Sequence, residues 1–204
     1  MSTDADFWDG FYAESDRIWS GNPNVILVRE VADLAPGTAL DLGSGEGADA
    51  IWLAQRGWAV TAVDISQVAL DRAARAATQA GVADRVDWQR HDLYASFPAG
   101  SFDLVTASFL HSYDAPPREA ILRSAAAAVA AGGVLLIIGH SDHGPFHHDH
   151  GDLHLPKPAE VLAGLELADG EWEVLLCQEH ERHQIGPDGL PATRTDNAVK
   201  LRRL

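Results

Sequence analysis

The chain has 204 residues, of which 46% are hydrophobic and 22% are charged, values typical of one soluble globular domain. Its formal net charge of −15 repels polyanions, and no basic stretch is long enough to follow a nucleic-acid backbone. No apolar run approaches the roughly 20 residues that cross a bilayer, and the single cysteine, Cys177, excludes an intramolecular disulfide. We therefore expect a cytoplasmic protein with a small-molecule partner and neither nucleic acid nor membrane as partner; the oligomeric state stays open.

Short apolar strands alternate with helical stretches along the first two thirds of the chain. The predicted strands, rich in Val, Leu, Ile or aromatic residues, are 38–43, 59–65, 85–92, 102–109 and 133–140. The predicted helices, rich in Ala, Leu, Arg and Gln, are 48–56, 66–80 and 117–131, with Gly57, Gly81 and Gly132 at helix ends. This alternation predicts a parallel sheet that is covered on both faces.

The last third of the chain changes character. A short helix near 158–165 is followed by predicted strands at 172–183 and 195–204, which are separated only by a loop rich in turn residues. Two strands without a crossover helix pair antiparallel. We therefore expect an α/β, Rossmann-like, doubly wound sheet of seven strands, in which five parallel strands precede an antiparallel C-terminal hairpin.

A glycine-rich turn, "LDLGSGEGADA" (40–50), follows the first predicted strand. Glycine has no side chain, so such a turn brings backbone close to a ligand at the carboxyl end of the strand. Asp64 lies about 20 residues further on, where an acid can accept hydrogen bonds from ribose hydroxyls. Asp92, near the end of the third predicted strand, could reach an adenine ring. Each acid could instead be a helix cap or a solvated loop residue.

Asp41 distinguishes between possible ligands of this turn. A carboxylate beside the glycines repels a pyrophosphate, whereas it suits a ligand that carries an ammonium group. S-adenosylmethionine has adenine, ribose, an ammonium group and a sulfonium, and no phosphate. The charge of Asp41 therefore favours this ligand over a dinucleotide.

These stretches resemble the class I S-adenosylmethionine-dependent methyltransferases over most of the chain. "LDLGSGEGADA" is similar to the first motif of that family, "VTAVDIS" to its ribose-binding acid and "RHDL" to its adenine contact. "FDLVTASFLHS" and "AAGGVLLIIGH" are similar to its fourth and fifth strands. The N-terminal "FWDGFYAESDRIWSGNPNVIL" resembles the start of small-molecule members, including tellurite-resistance and thiopurine S-methyltransferase types.

The resemblance implies an enzyme that uses S-adenosylmethionine and leaves S-adenosylhomocysteine. The cofactor contacts that it implies are Gly43, Ser44, Gly45, Asp64, Ile65, Asp92 and Leu93, with Trp19 and Ser108 as further contacts; Asp41 joins them on the ground of its charge. We expect one domain, 1–204, with an N-terminal helical cap (1–36), a cofactor-binding core (37–140), a His-rich loop (141–158) and a final helix and hairpin (159–204).

The stretch "GHSDHGPFHHDHGDLHLPKP" (139–158) holds six of the ten histidines and exceeds the usual length of a structureless loop. Three interpretations are open: a surface loop without a role, a substrate-facing loop, or a transition-metal site. We favour the second, with His140 and His143 orienting the acceptor or taking its proton, because histidine exchanges protons near neutral pH. The metal hypothesis would use His147, His148, His150 and an aspartate.

His111, just after the fourth predicted strand, is a separate catalytic candidate, although a structural histidine would also fit there. Methyl transfer from a sulfonium is an in-line displacement, so alignment and water exclusion are the main tasks of the protein. We expect methyl transfer to an O, N, S or metalloid atom of a small molecule. The alternative is a metal-binding or sensing protein that uses the His-rich loop and keeps a vestigial cofactor pocket.

Overall fold

The computed structural model describes residues 4–110, 118–143, 154–185 and 189–204. The catalytic candidate His111 lies outside the described residues. So do His147, His148 and His150, on which the metal hypothesis rests. None of the helices in the described part of the chain has the length and apolar character that crossing a bilayer needs.

Seven strands and six α-helices follow one another along these ranges. The helices are α1 (Asp4–Ala13), α2 (Val25–Val31), α3 (Ala48–Gln55), α4 (Gln67–Gln79), α5 (Glu119–Ala127) and α6 (Pro158–Gly164), with a 3₁₀ turn at Ala83–Arg85. The strands are β1 (Thr38–Leu42), β2 (Ala59–Asp64), β3 (Val86–Arg90), β4 (Phe102–Ser108), β5 (Val129–His140), β6 (Trp172–Ile185) and β7 (Pro191–Arg203).

One sheet contains all seven strands, in the order β3-β2-β1-β4-β5-β7-β6. The pairs among β1 to β5 are parallel, and β7 lies antiparallel between β5 and β6. The predicted fold class, five parallel strands followed by an antiparallel hairpin, is confirmed. The chain crosses from β1 outward to β3 and then back to β4, so the carboxyl ends of β1 and β4 meet at a topological switch point.

Several predicted boundaries are wrong. The seventh strand begins at Pro191 rather than at 195, because Pro191 already pairs with Ile185 of β6. The fifth strand begins at Val129 rather than at 133, because Val129 already pairs with Phe102 of β4. Helix α5 therefore ends at Ala127, four residues before the predicted end. Gly132 therefore lies inside a strand, not at a helix end. The third strand ends at Arg90, which leaves Asp92 two residues beyond it.

The core has two layers, one on each face of the sheet. Leu136 and Ile138 of β5 pack with α2 and α3, whereas Leu135 and Ile137 of the same strand pack with α5 and α6. Successive residues of a strand point to opposite faces, and both faces of β5 are buried. This is why β5 is a continuous apolar run rather than an alternating one.

Truncation of this core gives a first prediction. Leu136 is fully buried, so Leu136→Ala should lower the free energy of unfolding by about 2–5 kcal/mol through lost burial and a residual cavity. Val25→Ala is the control, because Val25 is 67% exposed and its change should stay within about 0.5 kcal/mol. Urea unfolding followed by circular dichroism measures both; equal losses would contradict the assigned core.

Candidate functional site

The glycine turn follows β1 and is hydrogen-bonded to the carboxyl end of the neighbouring strand β2. The amides of Gly43 and Ser44 both donate to the carbonyl of Val63 at 2.9 Å, so the end of β2 holds the turn. Gly45 has a φ of 52°, in the left-handed region that favours glycine. A Cβ on Gly45 would lie 2.9 Å from the Tyr12 hydroxyl. Backbone conformation and lack of space thus both require glycine here.

Asp41 lies at the floor of the site and is only 2% exposed. Its Oδ1 accepts a hydrogen bond from the Thr106 hydroxyl at 2.9 Å, while its Oδ2 has no hydrogen-bond partner among the described residues. Burial, with the nearby charge of Asp49, raises the pKa of Asp41 to about 8. A buried carboxylate with an unmet oxygen is costly, and a ligand ammonium group would relieve that cost.

Two further polar groups extend this floor. Asp49, in the first turn of α3, accepts a hydrogen bond from the Asn24 amide at 2.6 Å, and burial raises its pKa. The Ser44 hydroxyl is buried without a hydrogen-bond partner among the residues described. Asp49 was not singled out in the sequence, because an acid in the first turn of a helix is explained by the helix dipole alone.

Asp64 ends β2 and organises the turn as well as facing the site. Its Oδ2 accepts from the Gly45 amide at 2.8 Å, and its Oδ1 accepts from the Ser66 amide at 2.9 Å. Each carboxylate oxygen can accept a second hydrogen bond, so ribose hydroxyls still fit. Burial raises the pKa of Asp64. Ile65 follows and is half-buried.

Asp92 and Leu93 follow β3 at the same edge of the sheet. Asp92 is exposed, and its Oδ1 accepts from the Tyr94 amide at 3.0 Å, which stabilises a turn. Leu93 is partly buried against the core layer below α5. Asp92 thus occupies an exposed turn, which matches the solvated loop residue that was one of its alternative roles, and its contact with adenine stays a prediction.

The N-terminal segment covers the glycine turn through Glu46. The Glu46 carboxylate accepts from the amides of Ile18 and Trp19, at 3.2 and 3.0 Å, and forms an ion pair with Arg72 at 3.0 Å. The Trp19 indole donates to the Tyr12 hydroxyl at 3.2 Å. Tyr12 is buried, and that burial together with Asp64 raises its pKa. Glu46 was not singled out in the sequence, since its partners lie far away along the chain.

A second group of side chains lies where β4 and β5 end. Ser108 is the last residue of β4, and Phe109 follows with a φ of 52°. The Phe109 ring lies against the His140 ring, with centroids 4.4 Å apart. His140 Nδ1 is 2.8 Å from Asp196 Oδ1. His143 lies just beyond β5 and is half-buried.

Arg182 of β6 belongs to the same group of side chains. Its Nε donates to Asp196 Oδ2 at 2.7 Å, and its guanidinium lies 5.7 Å from the Phe109 ring centroid. The attraction of a buried carboxylate draws this side chain inward. Asp196, only 1% exposed, was not identified from the sequence.

The described residues contain no group of three or more His, Cys, Asp or Glu side chains arranged to hold a metal ion. Nothing in this part of the chain supports the metal hypothesis.

Comparison with known sequences identifies the domain. Residues 39–133 match the family model described as "Methyltransferase domain". A curated relative, the tRNA 5-carboxymethoxyuridine methyltransferase of Escherichia coli strain K12, is 33% identical over 174 residues. The match covers 73% of this chain and 65% of that relative, so the chain spans slightly less than two thirds of its length.

Solved structures share the fold. The structure reported as "Conversion of a Disulfide Bond into a Thioacetal Group during Echinomycin Biosynthesis" has a TM-score of 0.77, 23% identity, and coverage of 98% of this chain and 92% of its own. TehB from Haemophilus influenzae has a TM-score of 0.71, 16% identity, and coverage of 99% and 68%. Other matched structures contain bound S-adenosylhomocysteine.

These findings bear on three predictions. The match to a methyltransferase domain over residues 39–133 confirms the enzyme class, and the matched structures confirm the Rossmann-like fold. TehB shares this fold as well. The predicted cofactor agrees with the S-adenosylhomocysteine that is bound in two of the matched structures. The roles of the individual site residues stay predictions.

The raised pKa of Asp41 generates a second prediction. An ammonium group beside Asp41 favours the carboxylate, so S-adenosylhomocysteine should bind with release of up to one proton, and its affinity should rise between about pH 6 and 8. Calorimetry in buffers of different ionisation enthalpy measures the release. Asp41→Asn should abolish it, whereas the exposed control Asp33→Asn should not. Proton release that persists in Asp41→Asn would contradict the assignment.

Proposed function

We propose that this class I S-adenosylmethionine-dependent methyltransferase acts in the cytoplasm and methylates a small molecule. The observation that carries the proposal is the buried Asp41 carboxylate, whose Oδ2 has no partner in the described ranges and lies beside a glycine turn. We propose one domain, 1–204, in which a core (37–140) binds the cofactor. The remaining segments of that domain are an N-terminal helical cap (1–36), a His-rich loop (141–158) and a final helix and hairpin (159–204).

Each cofactor contact has a proposed role. Asp41 binds the ammonium group, the turn at Gly43, Ser44 and Gly45 brings backbone against the methionine end, and Asp64 accepts from the ribose. Asp92, Leu93 and Ile65 contact adenine, while Trp19 and Ser108 border the sulfonium end. Support for this set, apart from Trp19, comes from its common position at the carboxyl ends of β1 to β4. Trp19 lies in the N-terminal segment that Glu46 holds against the turn.

The acceptor side uses His140 and His143, with His111 as a third candidate outside the described residues. His140 ends β5, beside the end of β4, and its ring is held by Asp196 and Phe109. It can therefore orient an acceptor group or take its proton.

Catalysis rests mainly on alignment. S-adenosylmethionine supplies an electrophilic methyl group on sulfur. The chain's own residues position the acceptor and exclude water. Tyr12 and Trp19 are suited to excluding water, because Glu46 accepts from the Trp19 amide over the turn and the Trp19 indole donates to the Tyr12 hydroxyl.

The net charge of −15 supports a small molecule over RNA as acceptor, because RNA would be repelled. A second candidate is an RNA nucleoside, which the relationship to a tRNA methyltransferase favours. Incubation with methyl-labelled cofactor distinguishes them, with a bacterial small-molecule extract and total tRNA offered in separate reactions. We expect label in the extract; label in tRNA alone would overturn the small-molecule proposal.

Asp64 provides the third prediction. Asp64→Asn keeps the shape but removes the charge and sets an NH₂ group against a backbone amide, so S-adenosylhomocysteine should bind about 10- to 100-fold more weakly. Calorimetry measures the affinity, and circular dichroism checks that the fold survives. Asp87→Asn, at an exposed position of β3, is the matched control. Unchanged affinity in Asp64→Asn would contradict its place in the pocket.

A further inference from the structure

Asp196 is a buried carboxylate at the centre of the acceptor side. In β7 it lies directly opposite His140 of β5 and His180 of β6, so the three residues form a row across three strands. One oxygen of Asp196 is 2.8 Å from His140 Nδ1, and the other accepts from Arg182 Nε at 2.7 Å. Both oxygens are thus held, and the carboxylate cannot rotate without breaking a charge-assisted contact.

This arrangement determines the proton position on His140. A carboxylate accepts hydrogen bonds, so its contact with Nδ1 places the imidazole proton on that nitrogen and the lone pair on Nε2. The Phe109 ring, 4.4 Å from the imidazole and 31° from its plane, restricts rotation of the ring. Asp196 and Phe109 together fix both the tautomer and the orientation of His140.

The surrounding charges keep the imidazole neutral. Among the described residues, the charged groups that act on His140 are Asp196 and Arg194 from β7 and Arg182 from β6. Burial and the two arginines lower the pKa of His140, and Asp196 only partly opposes them. At neutral pH the ring is therefore in the form that can accept a proton.

We propose that Asp196 is a positioning residue that prepares His140 as a general base, and that the acceptor is a neutral O–H or N–H group. This inference rests on the proposed function. The lone pair of the acceptor atom forms the bond to the methyl carbon, the carbon–sulfur bond breaks with its electrons on sulfur, and the acceptor proton moves to His140 Nε2. Water later takes that proton. An acceptor that is already an anion has no proton to lose and does not need His140 as a base.

Nitrogen NMR of the imidazole rings tests the positioning without any acceptor. His140→Gln assigns the His140 signal among the ten histidines. In the wild type we expect one tautomer, with the proton on Nδ1; in Asp196→Asn we expect a mixture, because an amide both donates and accepts. A wild-type proton on Nε2, or an unchanged tautomer in Asp196→Asn, would overturn the proposal.

Activity on two matched probes supplies the second readout. Phenol is neutral near physiological pH, whereas thiophenol is largely an anion, so only phenol requires a base. Asp196→Asn and His140→Gln should each slow phenol methylation by about 100-fold or more and leave thiophenol methylation within about 3-fold. Asp33→Asn should change neither. Equal losses on both probes would indicate a structural role and contradict the proposal.

The pH dependence of phenol methylation gives a further test, because the direction in which its acid limb moves is predicted. Since the Asp196 carboxylate raises the pKa of His140, its loss should move the acid limb of the phenol reaction to lower pH while the plateau falls. An unmoved limb would contradict the proposal. Failure of S-adenosylhomocysteine to bind at all would instead overturn the proposed function, and the NMR result would still decide the role of Asp196.

Discussion

The site depends on the hydrogen bonds that tie the glycine turn to the end of β2. The carbonyl of Val63 accepts from Gly43 and Ser44, and the next residue, Asp64, accepts from Gly45. These contacts hold the ends of two neighbouring parallel strands in one fixed geometry, and the backbone that faces the cofactor follows from it. The N-terminal segment then docks on the same turn through Glu46.

This geometry places three buried carboxyl groups close to one site. Burial raises the pKa values of Asp41, Asp49 and Asp64, and none of the three has an ion pair in the described part of the chain. Asp41 keeps its proton in the folded state to about pH 8 and loses it near pH 4 when unfolded, so its contribution to stability falls as the pH rises through that window. A cationic ligand group reverses this effect, which couples cofactor binding to stability.

Local sequence patterns were sufficient for the fold and for part of the site. Alternating strands and helices predicted a parallel sheet with an antiparallel C-terminal hairpin, and the charge of Asp41 beside glycines predicted the ligand class. Glu46, Asp49 and Asp196 were missed because their partners come from distant segments: Glu46 binds Trp19, and Asp196 binds His140, through contacts that only the folded sheet creates. The start of β5 was misplaced because its alanines favour a helix, whereas Val129 already pairs with Phe102 of β4, ahead of a register shift in the strand pair.

The central claim is that the turn and its acids bind S-adenosylmethionine rather than a dinucleotide. Calorimetric titration of the wild-type chain with S-adenosylhomocysteine and, separately, with NAD tests it most directly. We expect one-to-one binding of S-adenosylhomocysteine and no heat of binding with NAD, because an ammonium group stabilises the Asp41 carboxylate whereas a pyrophosphate offers it no positive charge. Binding of NAD, or the absence of binding for both ligands, would contradict it.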